Sequence, residues 1–278
     1  MQQLEYKGTV IKECFFDRKN INKFEAIFTQ GNGYLGIRNA LEEHYVGEIR
    51  DTFITGTFNK ASEEEVTELP NIADASAVKI IVNGEEFSLT EGKISSYERS
   101  LDLTTGESTR IVKWESPKGI KLDLVFRRFV SLDNEHIFVQ KVELLCDQDA
   151  NIIIESGIDG SVTNSGAMHF EDIQRRVFEG KYMEYIAKTT QSHVKVIQGA
   201  VCSLNKEAFV IPVMGRRTLA NKYSLKIKAN EKLEFEKKSV FFSERDKEYA
   251  HLNVEKRLYE IQEGIRNIGK ELVEVRLL

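Results

Sequence analysis

The sequence predicts an all-β protein, a large two-sheet antiparallel β-sandwich with a helical segment at its C-terminal end. Short runs of alternating apolar and polar residues recur along most of the chain, which is the pattern of half-buried strands. Turn signals separate these runs about every 8–15 residues. No helical spacing of apolar residues intervenes between them, which excludes parallel strands joined by helices.

Composition excludes several functional classes. The chain has 278 residues, 30% of them charged, and a net charge of −5. It lacks the lysine and arginine clusters of a nucleic-acid surface, and no apolar run approaches the ~18 residues of a membrane span. It also lacks the pattern of a secretory signal, and Cys14, Cys146 and Cys202 have neither metal-ligand nor disulfide spacing. We therefore expect a reduced, cytoplasmic protein with no nucleic-acid or membrane partner.

The N-terminal third contains the less regular elements. Residues 4–17 are predicted as one strand, and residues 22–28 as a short helical turn capped by Asn20 or Asn22. Residues 52–58 have the composition of a strand, and the acidic residues 60–74 are predicted as an exposed loop.

The strand pattern becomes regular after residue 78. Asn83-Gly84 predicts a two-residue hairpin turn, because both central positions of a type I′ turn need positive φ. Further turns are expected at 105–106 and 117–119. Strands are expected at 78–82, 85–89, 94–103, 108–115, 120–130, 134–145, 151–157, 180–191, 192–199, 208–213, 221–229 and 232–242.

The pattern changes at residue 244. Leu258, Ile261, Ile265 and Ile268 recur at helical spacing, so one or two helices with an apolar docking face are expected there. The predicted organisation is therefore a β-sandwich domain over residues 1–243 and a helical linker over residues 244–278.

A glycine-rich stretch over residues 28–38 organises the N-terminal part. Gly31, Asn32, Gly33 and Gly36 tolerate positive φ and close backbone approach, so we interpret them as a structural turn at a sheet corner. The stretch has neither the glycine spacing of a dinucleotide site nor the closing Lys-Ser/Thr of a phosphate loop.

This stretch opens an ordered set of motifs that resembles the N-terminal region of family 65 glycoside hydrolases, which include maltose, trehalose, kojibiose and nigerose phosphorylases. The matching motifs are EAIFTQGNGYLGIR at 25–38, TFITGTF at 52–58, ELPN at 68–71, VNGEEF at 82–87, YERSLDLTTG at 97–106, RRFVS at 127–131 and SGIDGSVTNSGAMHF at 156–170. The resemblance implies a galactose mutarotase-like super-sandwich. It also implies that the catalytic acid and the pocket for phosphate, a co-substrate and not a cofactor, lie in an (α/α)6 barrel absent from this chain. We therefore assign no catalytic residue and no cofactor.

Three groups of residues are candidates for a site. Asp159, Asn164, Ser165 and His169 lie in a stretch of small polar residues that could donate hydrogen bonds to a sugar, although a sheet-to-sheet crossover explains the same stretch. Tyr97, Arg99 and Trp114 could form a sugar-stacking platform or belong to the core. Glu42-Glu43-His44 could pair a carboxylate with an imidazole or form a polar edge. The histidines have no ligand spacing, so no metal site is predicted.

Three functional hypotheses remain open. In the first, the sandwich supports the catalytic barrel of a phosphorylase, helps it dimerise and lends a loop, 157–170 or 55–74, to the mouth of a disaccharide site. In the second, it is a free-standing carbohydrate-binding module, and in the third a mutarotase-like sugar epimerase, which needs an acid–base pair in an open cleft. Residues 156–170 look closest to the kojibiose and nigerose members, but the sequence leaves the disaccharide open.

Overall fold

The computed structural model describes residues 3–178 and 181–246, and confirms the predicted antiparallel β-sandwich. A 3-10 turn (Arg18–Asn20) leads into the helix α1 (Ile21–Ile27). The strands are β1 (Leu4–Lys7), β2 (Val10–Glu13), β3 (Gln30–Gly31), β4 (Leu35–Ile37), β5 (Thr52–Ile54), β6 (Val78–Val82), β7 (Glu85–Glu86), β8 (Lys93–Asp102), β9 (Ser108–Glu115), β10 (Lys121–Val130), β11 (Ile137–Cys146), β12 (Ala150–Asp159), β13 (Phe170–Phe178), β14 (Tyr182–Thr189), β15 (Lys195–Leu204), β16 (Phe209–Met214), β17 (Thr218–Ile227) and β18 (Leu233–Ser243).

The strands form three sheets. A ten-stranded sheet has the order β1-β2-β8-β9-β10-β11-β18-β15-β14-β13, a five-stranded sheet the order β16-β17-β12-β6-β7, and a small sheet the order β3-β4-β5. Apolar side chains of all three sheets share one buried core, for example Leu35 of β4, Phe126 of β10 and Ile154 of β12. The core therefore lies between the sheets, as expected of a sandwich.

Period-two patterning produces the ten-stranded sheet. In β10, Leu122, Leu124 and Phe126 are buried, whereas the intervening Lys121 and Asp123 are exposed. Asp123 accepts a hydrogen bond from Lys113 Nζ of β9 at 2.8 Å on the solvent face. One face of this sheet thus packs on the core. The other face is solvated over β9 and β10, but across β14, β15 and β18 it carries a second buried apolar cluster of Ile186, Ile197, Val240 and Phe242.

Two regions differ from the sequence-based expectation. Residues 4–17 are not one strand, because Gly8 adopts φ +61° and folds the segment into the β1–β2 hairpin. The predicted exposed loop 60–74 is exposed only in its first half. Residues 70–74 are buried, since the Ile72 and Asp74 amides donate to the carbonyls of Thr52 and Asp159, both at 2.8 Å.

Three further expectations concern β13, the cysteines and the C-terminal helices. β13 is absent from the predicted strands, because its polar residues lack a clear alternation. Cys146 and Cys202 are buried and Cys14 is half-buried, all as free thiols. The helices predicted within 244–278 fall on residues 247–278, and Gly180 of the predicted strand 180–191 is likewise outside the described residues.

A buried ionic cluster holds the irregular segment 38–51 against the ten-stranded sheet. Arg110 Nη2 lies 2.7 Å from Glu42 Oε2 and 2.5 Å from Glu43 Oε2, and all three side chains are at most 5% exposed. The polar-edge interpretation of Glu42 and Glu43 was therefore wrong. Burial alone would raise the pKa of Glu42, but Arg128 and Arg110 outweigh it and hold that pKa below its ordinary value.

The glycine-rich turn forms the corner between β3 and β4. The Asn32 side chain donates to the carbonyls of Ser131 and Glu135, at 2.7 and 2.9 Å, and accepts from the Leu35 amide at 2.8 Å. Gly33 adopts φ +93°, which a residue with a Cβ rarely does. Asn32 thereby ties the corner to the turn between β10 and β11.

Replacing Arg110 tests the ionic cluster. Arg110→Met should lower the free energy of unfolding by ~3–5 kcal/mol, because it leaves Glu42 and Glu43 buried beside only one remaining arginine. Lys113→Met removes an exposed ion pair and should change it by less than ~1 kcal/mol. Urea unfolding monitored by circular dichroism measures both. Equal losses for the two variants would contradict the assigned role of Arg110.

The glycine corner offers a second matched comparison. Asn32→Ala should cost ~1–3 kcal/mol of stability, since it removes the side-chain hydrogen bonds to Ser131, Glu135 and the Leu35 amide. Gly36→Ala should be tolerated within ~1 kcal/mol, because a Cβ there meets no atom within 4 Å. Thermal unfolding by calorimetry gives both values. A Gly36→Ala loss as large as that of Asn32→Ala would show that the glycines, not Asn32, hold the corner.

Candidate functional site

A groove of about 680 Å³ opens at the end of the sandwich where β4, β5 and β12 meet irregular segments. Its walls come from Arg38 after β4, residues 48–53, residues 68–71 and residues 159–165. Carboxylate, amide and hydroxyl groups predominate, and Ile49, Phe53 and Val162 add apolar surface. The volume is within the range of small-molecule sites.

Three of the four predicted loop residues line this groove, namely Asp159, Asn164 and Ser165. Asn164 has a structural role, because its Oδ1 accepts from the Asn71 amide at 2.6 Å and its Nδ2 donates to the Leu69 carbonyl at 3.1 Å. Asp159 Oδ1 accepts from the Ser161 amide at 2.8 Å, which folds the start of the loop. Ser165 is exposed at the rim.

His169 lies behind the groove and not in it. The ring is 2% exposed, and its Nε2 lies 2.8 Å from Glu68 Oε1. Asn59 Nδ2 lies 3.1 Å from His169 Nδ1. Since the amide nitrogen is a donor, Nδ1 must accept, so Nε2 carries the proton and donates to Glu68. The imidazole therefore orients Glu68, whose side chain is 41% exposed and lines the groove.

The groove contains charged residues that the sequence analysis did not single out as site residues. Glu48 accepts from His44 Nδ1 at 2.8 Å and from Arg50 Nε at 3.0 Å. The Arg38 amide donates to the Asp51 carbonyl at 2.9 Å, and Arg38 Nη2 donates to the Asn22 carbonyl at 2.6 Å. Arg38 can be found in the sequence as the end of the glycine-rich stretch, but no sequence pattern links it to residues 48–51.

The groove is electrostatically acidic. Glu48, Asp51, Glu68 and Asp159 contribute carboxylates, whereas Arg38 and Arg50 are the cations among its lining residues. Burial alone would raise the pKa of Glu48, but His44 and Arg50 hold it below its ordinary value. Burial raises the pKa of Asp51, and Arg38 opposes this only in part. Such a lining suits neutral hydroxylated ligands or cationic groups and disfavours a free phosphate ion.

The other candidates do not form a site. Tyr97, Arg99 and Trp114 are all at most 7% exposed, so they belong to the core and cannot stack on a sugar. His44 Nδ1 contacts Glu48 of the groove wall at 2.8 Å, whereas the carboxylates of Glu42 and Glu43 are buried against Arg110. Among residues 3–178 and 181–246, no group of three or more His, Cys, Asp or Glu could hold a metal ion. No helix in the described part of the chain is long and apolar enough to cross a membrane.

The last described residues lie against the glycine corner. The ring of Tyr34 meets His136 edge-on at 4.5 Å between centroids, and His136 stacks on Phe242 at 4.1 Å. The turn after β18 is closed by Asp246, which accepts from the Ser243 amide at 2.9 Å. Phe53 of β5, which lines the groove, pairs with Gly36 of the same corner. The chain thus reaches Asp246 at the corner whose small sheet also supplies a wall of the groove.

Comparison with known proteins identifies relatives over nearly the whole chain. The profile described as "Glycosyl hydrolase family 65, N-terminal domain" matches residues 11–271. Kojibiose phosphorylase of Halothermothrix orenii is 38% identical over 257 residues, or 90% of this chain and 33% of that protein. Kojibiose phosphorylase of Escherichia coli is 31% identical over 248 residues, or 89% of this chain and 32% of that protein.

A solved structure from the human microbiome, assigned as a kojibiose phosphorylase, superposes with a TM-score of 0.84 at 18% identity. It matches 96% of this chain and 36% of its own chain, and at that identity it supports the fold alone. The chain therefore spans about one third of the length of these relatives.

Two groove carboxylates should respond to pH in opposite ways. Glu48→Gln should lower the thermal midpoint at pH 7, because the lowered pKa of Glu48 means that its ionised form stabilises the fold. Asp51→Asn should raise the midpoint at pH 7, because the raised pKa of Asp51 means that its ionised form is disfavoured in the fold.

The Asp51 difference should vanish as the pH falls below the unfolded-state pKa of about 4. The Glu48 difference should shrink below that pH and vanish only below the lowered folded-state pKa of Glu48, where its carboxyl is neutral in the fold as well. The stabilisation by ionised Glu48 is lost as the pH falls. The destabilisation by ionised Asp51 grows as the pH rises above about 4. Calorimetric scans between pH 3.5 and 7.5 measure both. The same sign for the two variants at pH 7 would contradict the electrostatics described above.

Proposed function

Because the chain belongs to glycoside hydrolase family 65 as its N-terminal domain, we propose that it is the non-catalytic β-sandwich of an inverting α-glucoside phosphorylase. In this role it supports an (α/α)6 catalytic barrel, shapes substrate access to that barrel and helps the enzyme dimerise. Residues 1–243 form the sandwich in this proposal and residues 244–278 the helical connection. The observation that carries the proposal is the groove beside the end of β18.

The position of the groove supports an interdomain role. The matched profile is that of an N-terminal domain, so the remaining two thirds of the relatives' length lies mostly C-terminal to it. The route to that part passes through Ser243 and Asp246, which lie at the glycine corner. A catalytic domain that follows this point is well placed to cover the groove at the same corner.

The chemistry of the groove supports a non-catalytic role. Inverting phosphorolysis needs a carboxylic acid aimed at the leaving oxygen and a site for phosphate on the opposite face. Here Glu48 is held by His44 and Arg50, and Glu68 by His169. The excess of carboxylates also disfavours phosphate. The acid and the phosphate site therefore belong, in this proposal, to the barrel.

We propose that residues 159–165 form the loop that contacts the disaccharide, opposite Glu68 on the other side of the groove. Hydroxyls at its exposed end, including Ser165, can bond a disaccharide, while Asn164 holds the loop to residues 69–71. The relatives' names favour kojibiose as the disaccharide, with nigerose and trehalose as alternatives. The free thiols of Cys14, Cys146 and Cys202 favour the cytoplasm as the site of action.

A second candidate function is a free-standing carbohydrate-binding module. The size and polar lining of the groove favour it, together with the apolar side chains of Ile49 and Phe53. A sugar epimerase is less well supported. The structure does bring Glu68 and His169 together, but His169 is buried and cannot reach a sugar as an acid or base.

Assays of the 278-residue chain distinguish these functions. With phosphate and kojibiose, nigerose, maltose or trehalose, we expect no release of glucose 1-phosphate and no calorimetric binding at millimolar sugar. Turnover would overturn the non-catalytic assignment. Binding at millimolar sugar or tighter that Glu68→Gln weakens would favour the binding module.

The supporting role is tested in a full-length chimeric enzyme, in which this chain replaces the matched third of the Halothermothrix orenii kojibiose phosphorylase. There Glu68→Gln should raise KM for the disaccharide several-fold and leave KM for phosphate unchanged, because it removes charge while preserving an acceptor for His169. Glu63→Gln, on the exposed part of the same loop, is the matched control. Identical kinetics for both variants would contradict a part for the groove in substrate access.

A further inference from the structure

The outer faces of the two large sheets differ in how far their apolar residues are covered. On the ten-stranded sheet, ion pairs such as Arg127 Nη1 to Glu143 Oε1 at 2.7 Å share the outer face with a buried apolar cluster of Ile186, Ile197, Val240 and Phe242. In the five-stranded sheet the alternation fails, and three strands contain consecutive apolar residues. These are β6 (VKIIV), β12 (ANIII at its start) and β16 (FVIPVM). Strands that are apolar on both faces are typical of sheets covered on both sides.

The outward residues of this sheet are identified by strand register. Ile152 and Ile154 of β12 are buried in the core, so Ile153 between them points outward. In β16 the Val210 side chain packs on the core, so Phe209, Ile211 and Val213 point outward. Phe209 is 69% and Ile211 45% exposed, on a strand that forms one edge of its sheet and has no charged residue.

Cross-strand pairing arranges these outward residues in three rows. One row is apolar or small, another carries charges of both signs, and the third contains only small or apolar residues. Across β16, β17, β12 and β6, the first row consists of Phe209, Ser224, Ile153 and Ile81. The second row consists of Ile211, Lys222, Glu155 and Lys79. The third row ends at β12 and consists of Val213, Ala220 and Gly157.

We propose that this outer face binds a second copy of the chain, across a two-fold axis that runs parallel to the strands between β12 and β17. Rotation about this axis places β12 of one copy opposite β17 of the other, and β6 opposite β16. Each row then faces the same row of the other copy. Lys222 of one copy then faces Glu155 of the other, and the reciprocal pair forms at the same time. In the first row, the apolar edge residue Phe209 covers Ile81 of the other copy.

Charge and size both favour this occupant. The central pair of the charged row has opposite signs, so the face is complementary to itself only when β12 and β17 exchange places. β12 and β17 each have ten residues. β16, β6 and β7 are shorter, with six, five and two residues. At about 4.8 Å between strands and about 3.3 Å per residue, the five strands give a face of roughly 500 Å² before side chains are counted. With its side chains this approaches the ~800 Å² per partner of a standard interface.

Edge-to-edge pairing through β16 is a less suitable arrangement. Pro212 lies in the middle of the strand and has no amide hydrogen to donate to a strand added at the edge. The exposed side chains of β16, and not its backbone, are therefore the groups that the second copy would cover. This inference rests on the dimerising part of the proposed function and assigns a surface to it.

Sedimentation velocity of the 278-residue chain over a range of concentrations tests the proposal. We expect a monomer–dimer equilibrium in which Phe209→Ser raises the dissociation constant at least tenfold. Lys222→Glu or Glu155→Lys alone should also weaken the dimer, and the double exchange should restore it to within about threefold of wild type. Leu103→Ser, at a similarly exposed apolar residue in the turn after β8, should have no effect.

Thermal unfolding of each variant should show that the fold is retained, since the Phe209 side chain is 69% exposed and contributes little to the core. A chain that is monomeric at all concentrations would overturn the proposal, as would a dimer that Phe209→Ser and Lys222→Glu leave unchanged. If the chain is monomeric and Phe209→Ser destabilises the full-length chimeric enzyme instead, the face belongs to the catalytic domain. That result would also overturn the proposal, but the supporting function would stand, because its own test is the disaccharide KM.

Discussion

Arginines of the ten-stranded sheet provide the interaction on which the groove depends. Segment 38–51 has almost no regular structure, yet much of it is buried, so its carbonyl groups need donors other than a strand ladder. Arg99 Nη1 donates to the Asn39 carbonyl at 3.1 Å, and Arg128 Nη2 to the Ala40 carbonyl at 2.7 Å. Arg110 holds the carboxylates that follow. Without these guanidinium groups the segment would have unpaired polar groups in the core.

The same segment carries the cations and half of the carboxylates of the groove, so a stability feature also positions the functional surface. Arg50 illustrates this connection. Its Nη2 donates to the Leu41 carbonyl at 2.8 Å inside the protein, while its Nε contacts Glu48 at 3.0 Å on the groove wall. Buried ion pairs contribute uncertainly to net stability because desolvation opposes them. Their clear effect here is to fix one conformation of a chain segment that has no ladder to define it.

The sandwich therefore presents three surfaces with different physical properties. The outer face of the ten-stranded sheet carries ion pairs over β9 and β10 and a buried apolar cluster over β14, β15 and β18. The groove end is polar, acidic and adjacent to the end of β18, which suits contact with a catalytic domain. The outer face of the five-stranded sheet has apolar residues on either side of a charged row.

The sequence by itself determined the fold class, because alternation with period two and turn chemistry are local properties. Asn83-Gly84, for example, has φ values of 50° and 84°, as its hairpin turn requires. Only the tertiary structure decided the groove. Glu68 meets His169 across 101 residues, and Arg110 meets Glu43 across 67. Whether a charged residue is exposed or buried depends on partners from distant strands, and no local pattern encodes which strands will become neighbours. The polar-edge and sugar-platform interpretations failed for this reason. Asp159 and Ser165 do line the groove, because small polar residues favour surface turns wherever they occur, whereas their contact with a substrate stays a prediction.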